Sequence, residues 1–476
     1  MRSSVLDEPL LEFGGGARHV DPRHGISDYG PVDLHEAGAP RPIRLGIVGP
    51  RSDIDGLRRW LGECSAGVDA RGDTHLRSLF RDFPGLDDDR TFRTTLLTTH
   101  GTTRAVSATE LRKATSMTPG LATERCVDLY LEQIQDLNQT NRVDAILVAR
   151  PDDLHDEKTQ PTNDPDEHVV VDPFQADFHD LLKSRCLDGV PAQLIRSSTW
   201  DPDRKHLRDT SRSQQDHATR VWNLFTALYY KAGGKPWRLE RSDHDLRTLF
   251  VGVSFFRSAD ENEVHTAVAQ VFDERGAGVV VRGGPAARRK SDRQPHLNRS
   301  DAKALLLDAV RTFRREHQHT PARVVIHKTS QHDDPEIAGF DEAASELDLE
   351  ELDLTWLTDQ SEDVRLFRNG TNPVLRGTVL SLDREQHLVY TRGSVGFYRV
   401  YPGMYVPRPI GLRLARNGSD PMALAREVLA LSKLNWNQSQ LDTRLPVTIG
   451  AARKVSNILK HVDGRSTTVA RYAHFM

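Results

Sequence analysis

The segment DFHDLLKSRCLDGVPAQLIRSSTW, residues 177–200, joins an amphipathic helix to a strand. Phe178, Leu181, Leu182 and Cys186 recur at helical spacing and form the apolar stripe of an amphipathic helix. Gly189 is expected to end that helix, since helices commonly stop on a residue that adopts a left-handed backbone. PAQLIRSSTW (191–200) then resumes as a strand. Upstream, IRLGIVGP (43–50) and DAILVAR (144–150) are short apolar runs of the kind buried on both faces. The intervening DDLHDEKTQPTNDPDEH (152–168) is polar throughout and is expected as a solvated loop. Strands alternating with helices predict a parallel α/β sheet.

Downstream, Val221, Trp222, Leu224, Phe225, Leu228 and Tyr229 mark a long helix that stops at Gly233 and Gly234, with Pro236 beyond. The main domain boundary is expected there. The second half opens on TLFVGVSFF (248–256), a continuous apolar strand, and continues with AQVFDERGAGVVVRGG (269–284) as a hairpin turning at Gly-Ala-Gly. A helix follows over 301–317 with Ser300 as its expected N-cap, then the buried strand ARVVIHKTS (322–330) and a helix over 335–347. Asp420 and Pro421 introduce the helix MALAREVLALSKL (422–434), and a last helix, AARKVSNILKH (451–461), precedes RYAHFM. The first forty residues mix a short apolar run with Gly, Pro and Asp turn chemistry, and are expected to form an extended arm.

Composition narrows the function classes. The chain has 476 residues, 37% hydrophobic and 28% charged, enough for two or three globular domains. Net charge is −4, from 64 basic and 68 acidic residues, so any nucleic-acid contact must use local patches. One such patch is RGGPAARRKSDRQPHLNRS (282–300), where Arg282, Arg288, Arg289, Lys290, Arg293 and Arg299 face one acid, Asp292. It reads either as a contact to a phosphate backbone or as a solvated loop. No run of 18 apolar residues predicts a membrane span, and the first residues show no secretory leader, so a cytoplasmic location is expected. Cys64, Cys126 and Cys186 lie far apart and read as unpaired thiols, not a metal or disulfide framework. Gly14 to Gly16 do not make a dinucleotide loop, so no NAD is expected in this chain.

Several segments, in order along the chain, resemble one family. EPLLEFG (8–14), DPRHGI (21–26) and YGPVD (29–33) resemble the start of short prokaryotic Argonautes. FHDLLKSR (178–185) and VPAQLIRSSTW (190–200) resemble their guide-binding Mid domain, and LYYKAGGKPWRL (228–239) the Mid–Piwi junction. LSKLNWNQSQL (431–441) and LPVTIGAARKVSNIL (445–459) resemble the end of Piwi. The resemblance implies an arm over 1–40, a Rossmann-like Mid domain over 41–234 and an RNase-H-like Piwi domain over 235–476. The N-terminal and PAZ domains of long Argonautes have no counterpart in these residues.

The resemblance also implies sites. His179 and Lys183, at i and i+4 on one helix face, together with Gln193 and Lys231, match the family's pocket for the guide 5′-phosphate. The chemistry is apt: ammonium groups and an orientable amide suit a terminal phosphate, and His179 is placed to stack on the first base. A Mg2+ ion joins this pocket in the family, held in part by the terminal carboxylate, here Met476. The Piwi nuclease centre, by contrast, needs convergent carboxylates for two metal ions. Here Ser254 stands at the first acidic position, Lys328 at a later one and Ala452 on the last helix. No Asp lies within two residues of Ser254 or Lys328, so a slip of register changes nothing.

The implied function is guide-directed recognition of target nucleic acid, with an RNA guide and a single-stranded DNA target, and no cleavage by this chain. Such a chain is not itself an enzyme. It signals through a separately encoded partner carrying an APAZ region and an effector, forming a heterodimer that oligomerises on target binding. A sirtuin-like, NAD-consuming effector is favoured, giving abortive infection in defence against phage or plasmids. The alternatives are a Toll/interleukin-receptor-type or nuclease effector, a guide-directed nuclease with a non-standard site, and a stand-alone repressor that blocks targets.

Overall fold

The computed structural model describes the chain apart from residues 72–78, 141, 153, 155–176, 202, 205–214, 241–246, 258–263, 273–277, 282–285, 289–292, 359–363, 371–372, 399–400, 402, 404–405, 417, 442 and 463–468. The side chains of 267–272, 279, 281, 287–288 and 469–470 are likewise outside the description. Two compact units emerge, and they interleave along the chain. One comprises Phe13–Trp237, Trp436–Ser439 and Ala473–Met476; the other comprises Met1–Glu12, Arg238–Asn435 and Gln440–Tyr472. The first forty residues are thus shared between units, and they include the helix Pro22–Tyr29, capped by Asp21, where an extended arm was expected.

The first unit is built on an all-parallel sheet in the order Leu96–Leu97, Ile43–Gly49, Ala145–Ala149, Ala192–Ile195, with Thr103–Ala105 also beside Ile43–Gly49. The apolar runs seen in the sequence are its central strands, and Ala145–Ala149 is buried at every position. Such strands need cover on both faces, which helices supply. The helix Pro119–Thr140 contributes Cys126, Tyr130, Ile134 and Leu137 to a core shared with Ile146, Val148, Phe178 and Leu182. The helix Phe178–Arg185 starts on an Asp177 cap and ends earlier than expected. Gly189 lies beyond it with φ 105°, in the turn before Ala192–Ile195, so it serves the turn and not the helix end. The long helix runs over His217–Lys231, from an Asp216 cap to the turn at Gly233.

The second unit holds a ten-stranded sheet. At its centre, Thr248–Arg257, Val264–Phe272 and Gly278–Val281 form an antiparallel meander. Arg323–Lys328 lies parallel beside the first of these, and Glu351–Thr358 parallel beside that, which is the strand order of an RNase-H-like sheet. Val469–Arg471 extends one edge; Ile410–Arg416, Gln386–Val389, Thr378–Ser381 and Arg2–Val5 extend the other. The helices Arg299–His317 and Asp334–Glu346 cover one face, packing Leu305, Leu306, Phe313 and Phe340 on Leu249, Val251, Val253 and Ile326. The helix Val447–Leu459 covers the opposite face, so close that a Cβ at Gly252 would collide with the Thr448 main chain. The N-cap of Arg299–His317 is Asn298, not Ser300: its side chain accepts from the Asp301 amide, and Ser300 lies within the first turn. Asp420 and Pro421 open the helix Pro421–Leu431 as expected. Among the described residues, no helix is long and apolar enough to cross a membrane, and Cys64, Cys126 and Cys186 are buried and in no disulfide.

Candidate nucleic-acid binding site

Four of the five residues expected in a phosphate pocket are on elements that the first unit brings together. Helical periodicity turns Lys183 inward from Phe178–Arg185, where it is 1% exposed. Its ammonium donates to the carbonyl of Ala192, the first residue of the next strand, and to the Met476 main-chain oxygen at 2.6 Å. Lys231, also 1% exposed, ends the helix His217–Lys231 and donates to Ala473 and Met476 main-chain oxygens, each at 2.9 Å. Two ammoniums from different helices therefore converge on one oxygen at the start of a parallel strand.

Gln193 follows Ala192 on that strand. Its amide nitrogen donates to the Leu194 carbonyl at 3.1 Å, while its Oε1 is buried without a hydrogen-bond partner. Leaving a buried amide oxygen unmet is costly, so this acceptor marks a place for a hydrogen-bond donor or a cation, and not for a phosphate oxygen. His179 sits one turn before Lys183 and keeps part of its ring exposed. Its Nδ1 lies 2.8 Å from the Asp180 carboxylate. Burial pushes the imidazole below its ordinary pKa, the Asp180 carboxylate opposes that, and Lys183 adds to it. A neutral ring with an open face is suited to stacking. Met476 was the signal hardest to read from sequence; only its apolar neighbours pointed to a buried end, and Phe475 and Met476 are indeed buried.

The second unit arranges the degenerate positions on two faces of its sheet. Ser254 points toward the helix Val447–Leu459, its Oγ 2.9 Å from Ser456 Oγ, which donates in turn to the Ala452 carbonyl at 2.7 Å. Ser254 and Ala452 therefore share a face, and both are buried. Lys328 does not join them. In the parallel register it pairs with Val253, one residue before Ser254, and successive residues of a strand face opposite ways. Its ammonium lies instead 2.6 Å from Glu336 on the helix Asp334–Glu346, below the Phe255 ring. The position next to Ser254 is Thr329, whose amide donates to the Val253 carbonyl at 3.1 Å. Thr329, like Lys328, carries no carboxylate.

On the face covered by Arg299–His317 and Asp334–Glu346, the residues His296, Asp333 and Glu336 offer ligand atoms within 4.8 Å of one another. The Lys328 ammonium already supplies positive charge at Glu336, so this trio is part of an ion-pair cluster. Of the basic stretch, Arg282, Arg289 and Lys290, and the side chain of Arg288, lie outside the described residues; Arg293 is exposed with φ 59°.

A doubly wound parallel unit and an RNase-H-like unit in one chain define the Mid–Piwi architecture of Argonaute and Piwi proteins. Solved structures agree. Clostridium butyricum Argonaute bound to a guide DNA and a 19-mer target DNA superposes with a TM-score of 0.62 at 12% identity, covering 98% of this chain and 54% of that one. Aa-Ago with externally bound siRNA and Drosophila Piwi each superpose with a TM-score of 0.60 at 14% identity, covering 99% of this chain and 56% of theirs. The chain thus spans about half the length of these structures, and at such identities the likeness concerns the fold. No protein-family model and no curated protein matches the sequence.

Proposed function

We propose that this protein binds the 5′ end of a guide strand in its first unit and uses the paired guide to recognise a complementary target without cutting it. The observation that carries the reading is the convergence of the Lys183 and Lys231 ammoniums on the Met476 oxygen. A terminal phosphate fits there as an acceptor for both ammoniums, and charge-assisted hydrogen bonds of this kind are the strong ones. Mg2+ favours hard oxygen ligands, which the Met476 main-chain oxygen and Gln193 Oε1 can offer together with the phosphate itself. His179 would stack on the first base. Base pairing, not side chains, would read the target sequence.

The absence of cleavage rests on Ser254, Thr329 and Ala452, none of which can ligate two metal ions as carboxylates do. A bound target then produces chemistry only through another protein. The resemblance to short prokaryotic Argonautes assigns that role to an APAZ-bearing partner with a sirtuin-like, NAD-consuming effector, in cytoplasmic defence against phage or plasmids. The guide is RNA and the target single-stranded DNA in this reading. Target must bind the active arrangement of the complex more tightly than the resting one, since a ligand shifts an equilibrium only by its differential affinity.

The experiment is reconstitution with the product of the adjacent gene. NAD loss should require guide and complementary target together, and the target should remain intact with Mg2+ or Mn2+. Guide-dependent scission at one phosphodiester by this chain alone would establish a nuclease. Failure of the two proteins to associate would favour a lone repressor.

A further inference from the structure

Two asparagine–glycine pairs occur in the sequence, Asn369-Gly370 and Asn417-Gly418. In such a pair the glycine main-chain nitrogen can attack the preceding asparagine side chain, because glycine has no Cβ to hinder the approach. Both glycines belong to the second unit, and their amides are held very differently.

Asn369 and Gly370 are exposed, and lie between Phe367 and Pro373, which form an isolated antiparallel bridge. Arg368 Nε donates to the Pro373 carbonyl at 2.9 Å, which leaves the Asn369 side chain to solvent. Gly370 has φ 118°, in the region that favours glycine, and a Cβ there would meet nothing within 4 Å. Among the described residues, nothing accepts a hydrogen bond from its amide. The Gly418 amide, by contrast, donates to Asp353 Oδ1 at 2.9 Å. The same carboxylate accepts from the Ser419 amide at 3.3 Å and the Ser419 hydroxyl at 2.8 Å, and pairs with Arg323 at 2.7 Å. It is fully buried, so this arrangement is fixed from within the sheet.

We propose that Asn369 is a site of spontaneous deamidation, and that Asp353 protects the second pair from the same reaction. Solvent hydroxide removes the Gly370 amide proton, and the nitrogen attacks Cγ of Asn369. The new N–Cγ bond closes a five-membered succinimide as the Cγ–Nδ2 bond breaks, and the side-chain nitrogen leaves as ammonia. One water then opens the ring at either carbonyl, giving aspartate or isoaspartate. No oxidant or further reactant is needed. At Gly418 the attacking nitrogen must first give up its bond to a carboxylate, and the anion formed on it would face that negative charge. Arg365 and Arg368 are the charged residues of 364–370, so the product sets a carboxylate into a cationic loop.

The test incubates the full chain at mildly alkaline pH, native and in urea, and follows both asparagines by peptic digestion in acid and mass spectrometry. Isoaspartyl methyltransferase with a labelled methyl donor reports the isoaspartate independently. In the native protein Asn369 should convert at least about tenfold faster than Asn417, the rate equivalent of one hydrogen bond to a charged group. In urea, where Asp353 no longer holds Gly418, the two rates should converge. Asn369→Gln should remove most of the methyl label from the native protein, since glutamine must close a larger ring. Equal native rates, a faster Asn417, or an Asn369 that reacts only in urea would overturn the proposal. A rate ratio unchanged by urea would assign the difference to local sequence and remove the role of Asp353.

Discussion

Acidification should destabilise the second unit through two buried histidines, His327 and His332. His327 is fully buried, with Nδ1 2.9 Å from Thr448 Oγ1 and Nε2 without a partner. His332 is also buried, with Nε2 3.3 Å from the Thr355 carbonyl and Nδ1 without a partner. Burial lowers each from 6.5 to about 3; the positive charge of Arg323 adds to this for His327 and that of Lys328 for His332. The unfolded chain therefore takes up protons first. Both rings are neutral in either state above pH 6.5, and stability falls progressively from there until the folded values near 3 are reached. At pH 5 the deficit is about 2 kcal/mol for each ring, or about 4 kcal/mol together, a large part of an ordinary domain's stability. Urea unfolding followed by tryptophan fluorescence at pH 7.5 and pH 5 measures it. His327→Gln and His332→Gln, which cannot protonate, should each remove about half of the pH-dependent loss. If both variants lose as much stability as the parent, the buried histidines are not the cause.

Further outcomes follow from packing and ion pairs. Gly252→Ala should lower stability by about 2 kcal/mol or more, because its new methyl group meets the Thr448 main chain of the helix Val447–Leu459, and a close-packed interior cannot yield freely; a urea midpoint unchanged from the parent would refute the close approach. Glu8→Gln leaves the fully buried Arg376 and Lys433 without their shared carboxylate, a change that costs about 3–5 kcal/mol in buried pairs. Burial pushes Glu8 up, but these two cations outweigh it and hold the carboxyl below its ordinary value. Its contribution is present above pH 4.5 and is lost as pH falls through the lowered value, so hydrogen exchange in Arg2–Val5 should quicken in acid for the parent and already be fast in the variant.

The fold was legible where burial imposes a period. The largely apolar runs at 43–50, 144–150 and 248–256 became central strands because a sheet covered on both faces tolerates little else. The helix carrying His179 and Lys183 was readable for the same reason. Local punctuation was read less well. Gly189 and Ser300 are sound terminal signals, yet Cys186 and Asn298 hold those positions, since a cap depends on where the helix stops packing. Lys328 shows the limit of reading a strand end by ear: a shift of one residue moved it from the Ser254 face to Glu336. The addition of Arg2–Val5 beside Thr378–Ser381 and the arrival of Met476 at Lys183 join residues hundreds of positions apart, and no local pattern encodes such pairings. The basic stretch around Arg289 lies outside the described residues, and its role stays with the sequence reading.

The guide pocket proposed at Lys183, Lys231 and Gln193 is tested by the affinity of the full chain for matched guides with 5′-phosphate and 5′-hydroxyl ends. Each ammonium that donates to the phosphate contributes on the order of 1.5–3 kcal/mol, so the phosphorylated guide should bind at least tenfold more tightly. Lys183→Glu and Lys231→Gln should each reduce that preference to about threefold or less, while affinity for the hydroxyl guide changes little. A preference that persists in both variants, or none in the parent protein, would place the phosphate elsewhere.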